Sequence, residues 1–239
     1  MHTETDLLLT RFLGEIRQEV PLLALWAHGS LGAGDYQPGR SDLDLIAVVE
    51  SPVTDPTRLE EIHGDFPELL HCSYIVRDEL PDLTARHLTA AHGELFHRPV
   101  TAVTRRELHS SPVELYGAAV PDLLPEVSDA ELHAFIRADL ADFWLLKTDG
   151  FKRWLQDIWV DLGLITVARA TVTLRDNRLI TKREAFDVLA ELGAPERVVA
   201  DVRARRYGSP GPKLGRARRA MLARSFIRAT IHRTLAKDA

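Results

Sequence analysis

One cysteine, Cys72, is all that the 239 residues contain. That excludes an internal disulfide framework and any cysteine-based zinc cage, and it suits a reducing compartment. Long hydrophobic runs are missing too, since no stretch approaches the roughly 18 apolar residues that read as a membrane-crossing helix. No charged leader with an apolar core opens the chain, so a soluble cytoplasmic protein is expected. Internal repeats and low-complexity tracts are absent. Gly32-Ala33-Gly34 lacks the third glycine of a dinucleotide fingerprint. His87, His92 and His97 recur every five residues, which does not align them on one helical face for zinc.

What remains is ordinary globular composition, 45% hydrophobic and 27% charged, in a length that allows two small domains or one large one. The net charge of −5 is unevenly spread: residues 1–125 carry 20 acidic and 9 basic side chains, residues 126–239 carry 15 and 21. An acidic half beside a basic one suits a cleft with a cation on one wall and phosphates on the other. Two solvated surfaces would give the same counts.

Apolar spacing predicts a helix over Asp6–Glu19 through Leu8, Phe12 and Ile16, ending before Pro21. Strands are predicted at Leu22–His28, Leu43–Val49 and Leu69–Val76, with a helix over Pro56–His63. Pro112, Pro121 and Pro125 mark Leu108–Val127 as the expected linker. Beyond it every element reads as helix. Capping boxes at Ser128/Glu131 and Thr181/Glu184 open two of them, the first running to about Lys147 and the second stopping at Gly193. Phe151–Thr173 forms another, a short one starts at Pro195, and the last spans about Lys213 to Leu235. In that last helix Leu214, Ala217, Met221, Ile227, Ile231 and Leu235 form the expected apolar stripe, which makes Arg216, Arg218 and Arg219 its wet face. Few aromatics interleave with these arginines or with Arg203, Arg205 and Arg206, so nucleic-acid binding is set aside. Trp144, Trp154 and Trp159 are spaced like core residues.

The segment that carries chemistry is Gly29-Ser30 after a strand, then Ser41-Asp42-Leu43-Asp44-Leu45. Residues two apart in a strand share a face, so Asp42 and Asp44 project together, with roughly 6–7 Å between their Cα atoms. Two carboxylates so placed repel unless they share a hard divalent cation, and magnesium keeps positions open for substrate phosphates. A Gly-Ser turn offers N–H groups and a hydroxyl to a phosphate. Either piece alone is usually a turn or a strand-end cap. In this order they describe a site for a metal-chelated nucleoside triphosphate and in-line transfer.

These residues resemble the signature of the nucleotidyltransferase superfamily that includes DNA polymerase β. Trp159–Arg169 and Arg178–Ala185 resemble the helical domain of the streptomycin and spectinomycin adenylyltransferases. The resemblance implies an α/β (α+β) nucleotidyltransferase domain with a mixed sheet over residues 1–125, and an all-α bundle over 126–239 that closes the cleft. It implies that Asp42 and Asp44 bind Mg²⁺, that Gly29, Ser30 and Ser41 hold the triphosphate, and that Lys182 reaches a phosphate. The implied substrates are ATP and a small polar acceptor. The family places a third carboxylate, the general base, on the next strand, where this chain has His71. An imidazole with an unperturbed pKa of about 6.5 suits that task. Glu68 or Glu94 after a shift of register, or a nucleotide-binding site without turnover, are the alternatives. Leu95 follows Gly93-Glu94 where the family has an aromatic residue against the antibiotic, which sets streptomycin in doubt. Asp139, Asp142, Asp157 and Asp161 form an acidic cluster that could receive a cationic acceptor from the helical side, although solvation of a helix surface accounts better for most of it. A protein-AMPylating enzyme of the toxin–antitoxin kind shares the motif, but such proteins tend to lack a second helical domain.

Overall fold

Leu9, Phe12 and Ile16 are the buried stripe of α1 (Thr3–Glu19), which ends just before Pro21 as a proline requires. β1 (Leu22–His28) follows, then the single turn α2 (Gly29–Gly32), β2 (Leu43–Val49), α3 (Pro56–Gly64) and β3 (Leu70–Val76). Asp55 caps α3 by accepting from the Thr57 N–H, with Pro56 at the first helical position. β4 (Arg86–Ala91), β5 (Glu94–Pro99), α4 (Ala102–Ser110), β6 (Val113–Gly117) and α5 (Val120–Leu123) complete this unit. The computed structural model describes residues 3–212 and 214–236 and divides them into two compact units, one ending at Ser128 and the other beginning at Asp129.

The six strands form one mixed sheet in the order β5-β4-β3-β2-β1-β6. Only β2 and β3 pair parallel, with α3 as their crossover; the other neighbours are antiparallel. On one face Leu25, Ala27, Leu45, Ala47, Cys72 and Tyr74 pack against α1 and α3. Burial pushes the Cys72 thiol up to about 12, so it is no nucleophile. On the other face Trp26, Ile46, Val48 and Ile75 pack with Leu108 of α4 and Val120 of α5. The Trp26 Nε1–H donates to the Ala118 carbonyl at 2.8 Å, which ties β1 to the chain beyond β6. Fully buried Arg105 of α4 donates to the carbonyls of Val100, Leu80 and Asp82.

The second unit is helical: α6 (Asp129–Ala138), α7 (Asp157–Asp176), α8 (Ala185–Glu191), α9 (Glu196–Tyr207) and α10 (Arg216–Ala236). Buried Trp154 donates to the Lys147 carbonyl, and Gly163 makes room for it: a Cβ there would lie 3.0 Å from the indole and 2.8 Å from Ile227 Cδ1.

Several expectations are corrected. Leu108–Val127 is not a linker; it holds the end of α4, β6 and α5, with Pro112 between α4 and β6, Pro121 in the first turn of α5 where a helix tolerates it, and Pro125 beyond α5. Three strands beyond the expected ones, β4, β5 and β6, complete the sheet; the edge strand β6 is short and half-exposed, so its apolar pattern is weak. The helix from Asp129 widens to a π-helical stretch over Asp139–Leu145, and extended Gln156 separates Trp154 from α7. α10 buries Arg219, Ala220, Ala223, Ile227, Thr230, Ile231 and Thr234, while Met221 is 52% exposed. Arg219 leaves the expected wet face because its guanidinium meets Asp157 and lies 3.5 Å from Asp201.

Candidate active site

At the end of the α4-covered face the apolar rows give way to a polar one. His28 lies opposite Asp44 across β1 and β2, and Asp44 lies opposite His71 across β2 and β3. Parallel pairing of β2 with β3 is what brings the starts of those two strands side by side. His28 Nδ1 stands 3.1 Å from Glu107 Oε2 on α4. Gly29 follows with φ +63, and a Cβ there would come within 2.9 Å of Asp44 Oδ2, so glycine is required both for the backbone angle and for the approach. The turn of α2 is closed by the Ala33 N–H donating to the Gly29 carbonyl at 3.0 Å and the Asp35 N–H to the Ser30 carbonyl at 2.9 Å. A Cβ on Gly32 would run into the Ser111 carbonyl, so α2 is seated against the end of α4.

Asp42, just before β2, and Asp44, within it, bracket the His71 imidazole. Asp44 Oδ1 is 3.5 Å from Nδ1 and Asp42 Oδ1 is 4.0 Å from Nε2. The side chains of Asp42 and Asp44 are 39% and 31% exposed, that of His71 only 5%. The Nε2 atom is buried and, among the described residues, has no hydrogen-bond partner. This donor set fits a hard divalent cation: two half-open carboxylates beside a backbone turn that has no Cβ. Among the described residues no three His, Cys, Asp or Glu side chains form a metal cluster. The positions beyond two carboxylates would fall to water and substrate phosphates, as magnesium prefers.

Ser30 lies half-buried in α2. Ser41 is buried, its hydroxyl accepting from the Gln37 N–H at 3.1 Å and closing the loop before β2. Lys182 belongs to the second unit, in the turn ahead of α8, where the Thr181 N–H donates to Glu184 Oε2 at 2.8 Å and the Glu184 N–H to Thr181 Oγ1 at 3.1 Å. Glu68, Glu94 and Leu95 line a groove of about 600 Å³ with His63 and Phe66, and none of Asp42, Asp44 or His71 lines it. In the second unit Asp157 and Asp161 are engaged by arginines: Arg219 pairs with Asp157, and Arg205 holds Asp161 through two nitrogens at 2.5 and 3.2 Å. Burial raises the pKa of Asp139. Trp159 is half-exposed rather than core, stacked on Phe143 at 6.3 Å with Arg153 over its ring.

Two participants escaped sequence reasoning. Glu107 reaches His28 across 79 positions, with no local signal. His92 sits in the hairpin between β4 and β5, its ring 4.5 Å from that of His71 at 70°. Gly93 between two strand-length segments was the signal for that hairpin.

Residues 9–115 match the profile of the nucleotidyltransferase domain family. No curated protein matches the chain. Among solved structures it is similar to the spectinomycin adenyltransferase AAD(9) from Enterococcus faecialis, determined with ATP and spectinomycin. The TM-score is 0.68 at 15% identity, over 93% of this chain and 99% of that one. At that identity the likeness is one of fold.

Proposed function

We propose, for a chain whose residues 9–115 match the nucleotidyltransferase domain, that it transfers AMP from ATP to a hydroxyl of a small polar acceptor in a magnesium-dependent reaction. The observation that carries this reading is the bracketing of a buried imidazole by two half-open carboxylates next to the Gly29 turn. Asp42 and Asp44 hold the metal, which when bound offsets the negative charge of the triphosphate. The backbone at Gly29 and the hydroxyls of Ser30 and Ser41 hold phosphate oxygens. Lys182 is assigned a further phosphate by the family resemblance. His71 Nε2, which has no partner among the described residues, takes the proton of the acceptor hydroxyl. The acceptor oxygen bonds to the α-phosphorus, the bond from that phosphorus to the bridging oxygen breaks, and pyrophosphate leaves with its electron pair.

Spectinomycin is the first acceptor to try, because it accompanies ATP in the structurally similar AAD(9). The test is pyrophosphate release from ATP and Mg²⁺ over a panel of spectinomycin, other aminocyclitols, aminoglycosides and nucleosides. Release with one acceptor, abolished in Asp42→Asn, supports the transferase. Loss of Lys182 should raise KM for ATP more than it lowers kcat. Full turnover in a folded His71→Ala removes the base assignment. Binding of Mg-ATP that Asp42→Asn weakens, with no release for any acceptor, favours a nucleotide-binding module.

A further inference from the structure

We infer that His92 is a positioning residue for His71, an inference that rests on His71 being the proton acceptor. β4 and β5 are joined by two residues only, since Ala91 pairs directly with Glu94. Both residues of the turn, His92 and Gly93, have positive φ, +55 and +74. That is the type I′ pattern, which favours Asn-Gly or Gly-Gly because a Cβ is disfavoured at the first position. His92 is exposed, so burial of its own side chain does not offset the cost.

What the side chain gains is contact with the imidazole of His71, edge to face, at 4.5 Å. That imidazole needs a guide. Its Nε2 has no hydrogen-bond partner among the described residues, and Asp44 at 3.5 Å from Nδ1 is at the long limit of a hydrogen bond. Rotation about the last torsion of a histidine is soft and roughly two-fold, so weak polar contacts alone leave the ring free to turn. An aromatic neighbour packed against it at 70° holds the plane of the ring, the plane in which Nε2 lies 4.0 Å from Asp42 Oδ1. The turn thus accepts an unfavourable residue at a place where its ring touches the proposed base, as strained backbone at functional sites commonly does.

Three variants separate positioning from a role in stability. His92→Gly relieves the backbone and removes the ring; His92→Asn does the same with a side chain retained; His92→Phe keeps the ring at greater backbone cost. The expected order for thermal midpoint is Gly and Asn at or above wild type and Phe below it. The expected order for kcat is the reverse: a fall on the order of tenfold in Gly and Asn, with KM values within about twofold, and most of that fall recovered in Phe. A structural role would make activity follow stability. Long-range ¹H–¹⁵N spectra of the imidazoles give a readout that needs no acceptor. The His71 ring signals should shift and broaden in His92→Gly and stay near wild type in His92→Phe. Unchanged His71 signals together with unchanged kcat in His92→Gly overturn the inference. Altered signals alongside full turnover in His71→Ala would instead leave the contact standing and remove the base assignment beneath it.

Discussion

Replacing Gly29 with alanine perturbs the site at its tightest point. The backbone there has φ +63, which costs an L-residue about 1 kcal/mol. The new Cβ would also lie 2.9 Å from Asp44 Oδ2 and 3.7 Å from its Cγ, where ordinary contact begins at 3.4 Å. The carboxylate must therefore retreat by about 0.5 Å, the difference between those two distances. It can do so, because the Asp44 side chain is 31% exposed and rotates toward solvent. The expected stability loss is then only about 1–2 kcal/mol, which a folded domain survives. Turnover should suffer more, since displacement on this scale at a reacting centre costs roughly 10- to 100-fold. Gly193→Ala supplies the control, with φ +75 and nothing within 4 Å of its Cβ. Thermal denaturation and pyrophosphate release are measured on both. Equal stability losses with a turnover loss confined to Gly29→Ala are expected. Full turnover in Gly29→Ala, or the same loss in both, would refute the coupling of this turn to Asp44.

Stability should also fall with pH through His63, whose pKa burial holds near 4 against an ordinary value of 6.5, with the charge of His71 adding to the effect. A folded-state value below the unfolded one means that the contribution is intact above about 6.5 and is lost as pH falls toward 4, roughly 3 kcal/mol in all. Denaturant unfolding between pH 7 and 4 should show this slope, and His63→Gln, which keeps a partner for the Tyr74 hydroxyl, should flatten it. A slope equal in both proteins sinks the assignment. Arg105→Met leaves the Val100, Leu80 and Asp82 carbonyls without their donor and should cost roughly 3 kcal/mol or more in denaturant unfolding. A loss under about 1 kcal/mol would mean that water replaces the guanidinium.

β1, β2 and β3 are legible in the sequence because each is an apolar run of strand length bounded by turn residues, and two of the site's anchors, Gly29-Ser30 and Asp42/Asp44, lie at their ends. His71 is legible for the same reason: once β3 lies beside β2, its second residue falls opposite Asp44. β5 and β6 escape because their side chains are mixed in polarity and largely exposed or half-exposed, and β4 because polar His87 and Thr89 are among its buried residues, so period-two alternation is faint in all three. His92 escapes because histidine is an unusual first residue for a two-residue turn and because helical spacing was the wrong ruler for a hairpin. Arg219 is misplaced by composition alone, since only the positions of Asp157 and Asp201 show that its charge is compensated inside the unit. Contacts between residues 79 apart, such as His28 with Glu107, leave no local trace.

The outer pairing of β6 on β1 has a consequence for the timing of assembly. The local bonds that close the Gly29 turn form early, but its outer supports come from chain that is synthesised long after it: Glu107 beside His28, Ser111 behind Gly32, and the Ala118 carbonyl under Trp26. Until β6 has joined, β1 is an open edge strand, and until Ser111 at the end of α4 is in place the turn has no seat. The aspartates and His71 can find one another early through β2 and β3, but the phosphate side of the site is finished last. A nascent or truncated chain ending before α4 would present the acidic half of the site with its cradle unseated.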